Sequence, residues 1–169
     1  MALLAAGRLE NVYRSLDTYL QTQLIDGAGL VVRLHGTRRF VPPVDAPWVE
    51  VAYDFLGLRS AFRRQIGGSV FATERQGTLQ LDIFQRARVF TTRYTTAAAR
   101  DLVVAAFPEG HLIPVYDIAG AAPDTPYIHV GTLALDDLQE HVQDTGLRSG
   151  VVQHVVQVAT RYLEHFTRD

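Results

Sequence analysis

Apolar residues recur at three- and four-residue intervals near the start of the chain, at Leu9, Val12, Leu16, Leu20 and Leu24, with Tyr13 and Tyr19 flanking the stripe. That spacing predicts a helix over 5–25, closed by Gly27 and Gly29. A short apolar run over 30–36 predicts a strand. The next eleven residues, TRRFVPPVDAP (37–47), hold three prolines and read as an extended surface loop, because proline cannot serve a central strand. Strict alternation returns over 48–56, with Val49, Val51, Tyr53 and Phe55 on one face and Glu50 and Asp54 on the other. Two further strands are predicted over 69–75 and 77–86, the second with Leu79, Leu81 and Ile83 on one face. They also read as one long strand interrupted by a bulge at Gln76-Gly77.

Helical spacing resumes over 91–110, with Thr95 or Thr96 as cap and Pro108 and Gly110 as the stop. Ala98, Leu102, Ala105 and Ala106 fall near one face of this helix, beside Val103 and Phe107. Strands follow over 111–118 and 127–135, separated by a loop over 119–126. Two patterns compete over 151–166. The apolar positions trace a helical stripe, yet five of the first eight residues are valine, and β-branching favours strand. Taken together the elements predict one α+β domain spanning 1–169: a largely antiparallel or mixed sheet of about five to six strands with two main helices packed on it.

The connection LRSAFRRQIGGS (58–69) is longer than a hairpin needs. It carries Arg59, Phe62, Arg63, Arg64 and Ile66, and the proline-rich loop adds Arg38, Arg39 and Phe40. Arginine and aromatic side chains are enriched where proteins meet, and clustered arginines also suit phosphate. The overall charge decides between these. The chain has 16 basic residues, all arginine, against 18 acidic ones, for a net charge of -2. A dedicated nucleic-acid-binding domain is usually clearly basic. A solvated loop is the simplest account of the arginine-bearing connection, and an ordered protein contact comes next, ahead of nucleic acid; as a binding surface the eight residues are candidate contacts to another protein subunit and, on the resemblance given below, to a tube or lumen.

Other chemistry is thin. Without cysteine there is no disulfide framework and no thiolate, and without lysine there is no standard phosphate-binding loop. Asp144-Thr145-Gly146 matches the aspartic protease tripeptide, but its flanks are too polar for a buried catalytic loop, and a turn is the simpler reading. Asp136, Asp137 and Glu140 could face a metal from a helix, but a solvated acidic face is by far the simpler account of them. The six histidines show no metal spacing; His154 and His165, eleven apart, share a face only if their segment is helical. No catalytic, cofactor-binding or metal-binding residue is assigned. The apolar runs are too short for a membrane span, and the start has the wrong charge order for a secretory signal.

The order of elements resembles the tail terminator, or tail completion, proteins of long-tailed bacteriophages. The features that carry the resemblance are an amphipathic first helix, a tryptophan opening a long strand after FVPPVDAP, the mobile connection, the alternating GTLQLDIFQ, and the alanine-rich TTAAARDLVVAAF. The resemblance tips 151–163 towards strand. It implies a virion structural protein, without catalysis or cofactor, that assembles in the host cytoplasm. Such proteins form a homo-hexameric ring on the major tail tube protein, end tube growth, and present a surface to head-completion or stopper proteins. DNA passes through the lumen without specific binding. A head–tail adaptor or stopper is the neighbouring reading. A small hydrolase using Asp144 or the acidic cluster, and a nucleic-acid-binding module using the arginine connection, are readings of other classes.

Overall fold

A computed structural model describes residues 2–3, 8–55, 59–68, 70–86, 92–118, 128–143 and 150–167, with side chains left undescribed at 2–3, 59–67, 70–71, 92–94, 142–143 and 164–167. The elements in chain order are β1 (Ala2–Leu3), α1 (Leu9–Leu20), β2 (Val31–Arg33), β3 (Trp48–Asp54), β4 (Arg59–Gly67), β5 (Val70–Arg86), α2 (Thr92–Ala106), β6 (Leu112–Tyr116), β7 (His129–Gln143) and β8 (Val151–Thr167). They make one α+β domain around a single sheet, in the order β2-β3-β5-β8-β7-β6, with β4 added to β5 and β1 to β8. All pairs are antiparallel except β2–β3, which is parallel.

The first helix forms because its stripe has somewhere to go. Val12, Leu16, Leu20 and Leu24 are all fully buried. After Leu20 the helix continues with π winding over Gln21–Gly27. Gly29, at φ 67°, closes it, donating its N–H to the Ile25 carbonyl at 3.0 Å. Few residues other than glycine adopt that conformation without strain.

The second helix buries a different face from the one expected. Thr96, Ala99, Val103 and Phe107 are buried, whereas Ala98, Leu102 and Ala105 are exposed. Alanine occurs on both sides of the helix, so the bulkier Val103 and Phe107 decide which side meets the sheet. The helix also begins at Thr92, so Thr95 and Thr96 lie three and four residues past its start rather than at the cap. Their hydroxyls donate to Gln85 Oε1 on β5, at 2.5 and 3.0 Å.

Both helices pack on the sheet face formed by Val49, Val51, Leu79, Leu81, Ile83, Leu133, Leu135, Val156 and Val158. The opposite face carries Glu50, Gln80, Asp82, Gln153 and Gln157 on β3, β5 and β8, together with the stacked Trp48–Phe84 pair and the buried Val155.

Three expectations change. The connection read over 58–69 is not an irregular loop in its described part, since Arg59–Gly67 forms β4 and pairs with β5 between Arg75 and Val70. Over Val70–Arg86 the reading as one long strand holds and the reading as two strands does not, but no bulge sits at Gln76-Gly77 in the pairing with β8; β5 runs in continuous register with β8 from Val70↔Thr167 to Arg86↔Val151. Gly77 is there for space. A Cβ at that position would lie 2.2 Å from Phe55 Cδ1 and 2.7 Å from the Asp54 carbonyl oxygen. Finally, β7 continues past 135 through Gln143, with a register shift between Leu135 and Leu138 that accommodates Asp136-Asp137. The C-terminal segment is a strand, as the valines and the resemblance suggested. It lies between β5 and β7, so Val155 is buried on the face opposite Val156 and blurs the alternation.

Candidate functional site

The two ends of the sheet are built differently. At the β6 end, α1 closes the strand edge with side chains. Ser15 Oγ accepts the Tyr116 N–H at 3.0 Å, and Asn11 Oδ1 accepts the Ile118 N–H at 3.1 Å. Asn11 Nδ2 in turn donates to Asp117 Oδ1 at 3.0 Å. Pro114, in the same strand, has no N–H to offer. Asn11 and Ser15 are almost fully buried, one helical turn apart, which is why two polar residues flank an apolar stripe. Sequence reading missed this pair. The signal was present as two short polar side chains at i and i+4 beside the stripe.

The other side of the sheet is open. β4 pairs with β5 along one edge, and among the described residues no strand pairs with its other edge. This is where the sequence placed Arg59, Phe62, Arg63, Arg64 and Ile66. Their backbone belongs to β4, and their side chains lie outside the described residues. Arg38 and Arg39 are exposed on the loop between β2 and β3, and Phe40 beside them is half-buried. The eight candidates therefore occupy two separate elements, a strand and a loop.

A network of charges ties α2 to the sheet. Arg100 grips Glu140 on β7 through two hydrogen bonds, one from Nε to Oε2 at 2.7 Å and the other from its terminal nitrogen to Oε1. The same guanidinium donates to Asp101 at 2.7 Å. His154 Nε2 on β8 lies 3.0 Å from Glu140 Oε2. Hydrogen bonding from Arg100 holds the Glu140 carboxyl below the usual carboxylate range, against desolvation and with help from His154. Asp136 is held by Arg161, from Nε at 2.5 Å and a terminal nitrogen at 2.7 Å.

The acidic cluster thus lies on a strand and not on a helix, and two of its three carboxylates are held by arginine. Among the described residues, no group of three or more histidine or acidic side chains could hold a metal ion. His154 and His165 both lie in β8, a strand and not a helix, and the His165 side chain lies outside the described residues. Asp144-Thr145-Gly146 lies outside the described residues.

A recess of about 200 Å³ opens beside β2, lined by Arg33, His35, Glu50, Ala52 and Asp82 among others. Glu50 and Asp82 are register partners, an unfavourable juxtaposition of like charges. Each is compensated locally. Glu50 accepts from Arg33 at 2.9 Å and from Trp48 Nε1 at 3.1 Å; Asp82 accepts from Gln80 at 3.0 Å and from Gln153 at 3.3 Å. Gln157 extends this chain by donating to Gln80 at 3.1 Å. Nearby, Tyr53 donates to Asp17 at 3.2 Å and lies against His35 with the rings tilted by 32° and their centroids 4.5 Å apart. Burial pushes the Asp17 carboxyl up, though Tyr53 and His35 oppose the shift.

No helix among the described residues is long and apolar enough to cross a membrane. No known protein family and no curated protein matches the chain. The fold and its surfaces define a class, an α+β protein built on one sheet with helices on one face, one strand edge closed by α1 and another, that of β4, with no strand partner among the described residues.

Proposed function

We propose that the protein is a virion structural component, the tail terminator of a long-tailed bacteriophage. In this reading it forms a homo-hexameric ring on the last ring of the major tail tube protein, stops tube polymerisation, and offers its far side to a head-completion or stopper protein. DNA crosses the lumen without specific binding, which suits a net charge of -2. The role needs no catalysis and no cofactor.

One observation carries the reading: the unequal strand edges. A ring is made by heterologous contacts, in which one surface of a subunit meets a different surface of the next. A subunit whose β6 edge is closed by Ser15, Asn11 and Pro114, and whose β4 edge has no described partner, has the asymmetry such contacts need. An open nine-residue edge invites pairing with another chain unless something covers it. The basic and aromatic residues of β4 then fall at a subunit contact or at the lumen.

The test is tube polymerisation. Purified tail tube protein should grow to indefinite length alone, and adding this protein should end growth and leave a ring of extra density at one tube end by electron microscopy. Phe62 and Arg63 should then touch another chain or line the lumen. Tubes whose lengths and ends are unchanged would remove the terminator reading.

A further inference from the structure

Three features lie together on the loop between β2 and β3. Arg38 and Arg39 are exposed. Val41 is 88% exposed, the highest value for a large hydrophobic residue among the described residues, and Val44 is also exposed. Pro42, Pro43 and Pro47 fix the backbone around them. A stiff loop that holds apolar side chains in water loses little freedom when they are covered.

At the other end of the strand order lies a second exposed apolar residue with the opposite rim. Leu112, in β6, is 56% exposed and pairs with Ala134 on β7. The Gly110 N–H bonds the Leu135 carbonyl at 2.9 Å, so Glu109 sits beside the start of the Asp136-Asp137 bulge. Glu109 and Asp137 are exposed, whereas Asp136 is engaged by Arg161. The Leu112 corner is therefore apolar with an acidic rim, and the Val41 loop is apolar with a rim of two arginines against one exposed aspartate, Asp45, so it is basic on balance. Because α1 and Pro114 close the β6 edge, a partner here meets side chains and does not add a strand.

We propose that two copies of this chain meet head to tail, the Arg38–Val44 loop of one copy against the Glu109, Leu112 and Asp137 corner of the next. Two different patches at the β2 and β6 ends of one sheet give a heterologous contact, which closes into a ring or runs on as a filament. The proposal rests on the ring reading for its biological use. Its chemistry is that of the isolated chain.

The experiment is native mass spectrometry and sedimentation of the purified chain without any other component. The chain should associate beyond the monomer at low salt, and added salt should weaken the association, because exposed charges are screened within a Debye length. The variant Arg38→Glu/Arg39→Glu should be monomeric, and so should Glu109→Arg/Asp137→Arg. All four reversals in one chain should restore assembly, as should mixing the two double variants. Circular dichroism checks that each variant is folded, and Val41→Asp offers an independent disruption that leaves the rim intact.

A wild-type chain that stays monomeric at its highest soluble concentration overturns the contact. So does assembly that survives either double reversal, assembly that survives Val41→Asp, or a folded fourfold variant that fails to assemble. The two readings fail separately. A chain that assembles through these charges and leaves tail tubes unaffected keeps the contact and loses the terminator; a chain that ends tubes equally well with Arg38 and Arg39 reversed does the opposite.

Discussion

At the scale of single residues, two carboxylates and one glycine show how environment sets the consequence of a side chain. Glu140 is held ionised by Arg100, so its contribution to stability is present above the ordinary carboxylate range and is lost as pH falls through its lowered value. Asp17 has the opposite sign. Burial raises its pKa, the folded state holds the proton more tightly than the unfolded state, and the ionised group costs stability at neutral pH. Glu140→Gln should therefore lose stability at neutral pH and flatten the acid limb of a Tm–pH profile. Asp17→Asn should gain stability at neutral pH, the gain fading as pH falls through the raised Asp17 value. Denaturant midpoints across an acid-to-neutral series measure both. Gly77 is simpler. With Phe55 Cδ1 2.2 Å from where its Cβ would lie, Gly77→Ala should cost about 1–3 kcal/mol, the range typical of overpacking. Combining it with Phe55→Leu should recover part of that loss and leave the part due to the Asp54 backbone.

At the scale of elements, the closure of β6 by α1 makes a distinct prediction. Ser15→Ala removes the side-chain acceptor of the Tyr116 N–H, whereas Asn11→Ala removes one of two acceptors of the Ile118 N–H, which also donates to the Tyr116 carbonyl at 2.9 Å, together with the bond to Asp117. Ser15→Ala should destabilise the protein by about 1–3 kcal/mol, the cost of stranding a polar group, and Asn11→Ala by about 0.5–1.5 kcal/mol for each hydrogen bond lost. Amide hydrogen exchange should speed up at Tyr116 in the first variant and at Ile118 in the second, and least of all at Leu81 in the middle of β5. Elements whose signal is local were legible in the sequence. The α1 stripe and the alternation in β3 and β5 each follow from one buried face. The elements that misled are those whose pairing is non-local. Nothing near Arg59–Gly67 marks it as a strand, because what makes it one is β5 alongside it. Gln76-Gly77 looks like an interruption, because Phe55, which needs the space, is about twenty residues earlier in the chain. The Asp136-Asp137 bulge hid the second half of β7, and alanine on both sides of α2 hid its buried face. The candidate contacts were legible as residue types only. Arg38 and Arg39 are exposed as expected, while the strand that carries Arg59, Arg63 and Arg64 was read as a loop.

At the scale of the whole molecule, the order of synthesis and the order of the sheet disagree. β8 is made after every other strand, yet it lies between β5 and β7 and pairs with β5 along all seventeen of its residues. Until β8 is present, β5 has only β3 and β4, β7 has only β6, and the apolar face of Leu79, Leu81 and Ile83 has no Val156 and Val158 beside it. Long-range pairing of this kind incurs a loop-closure cost before any contact forms, which places folding in the slow range, milliseconds to seconds on the order of all-β domains. A chain ending at Gly150 should accordingly show no cooperative unfolding transition and no near-ultraviolet circular dichroism, although it keeps nearly nine-tenths of the sequence. Adding a peptide of residues 151–169 should restore both signals in proportion to its concentration. If the shortened chain instead unfolds cooperatively on its own, the two halves of the sheet are independently stable, and β8 joins them without completing the core.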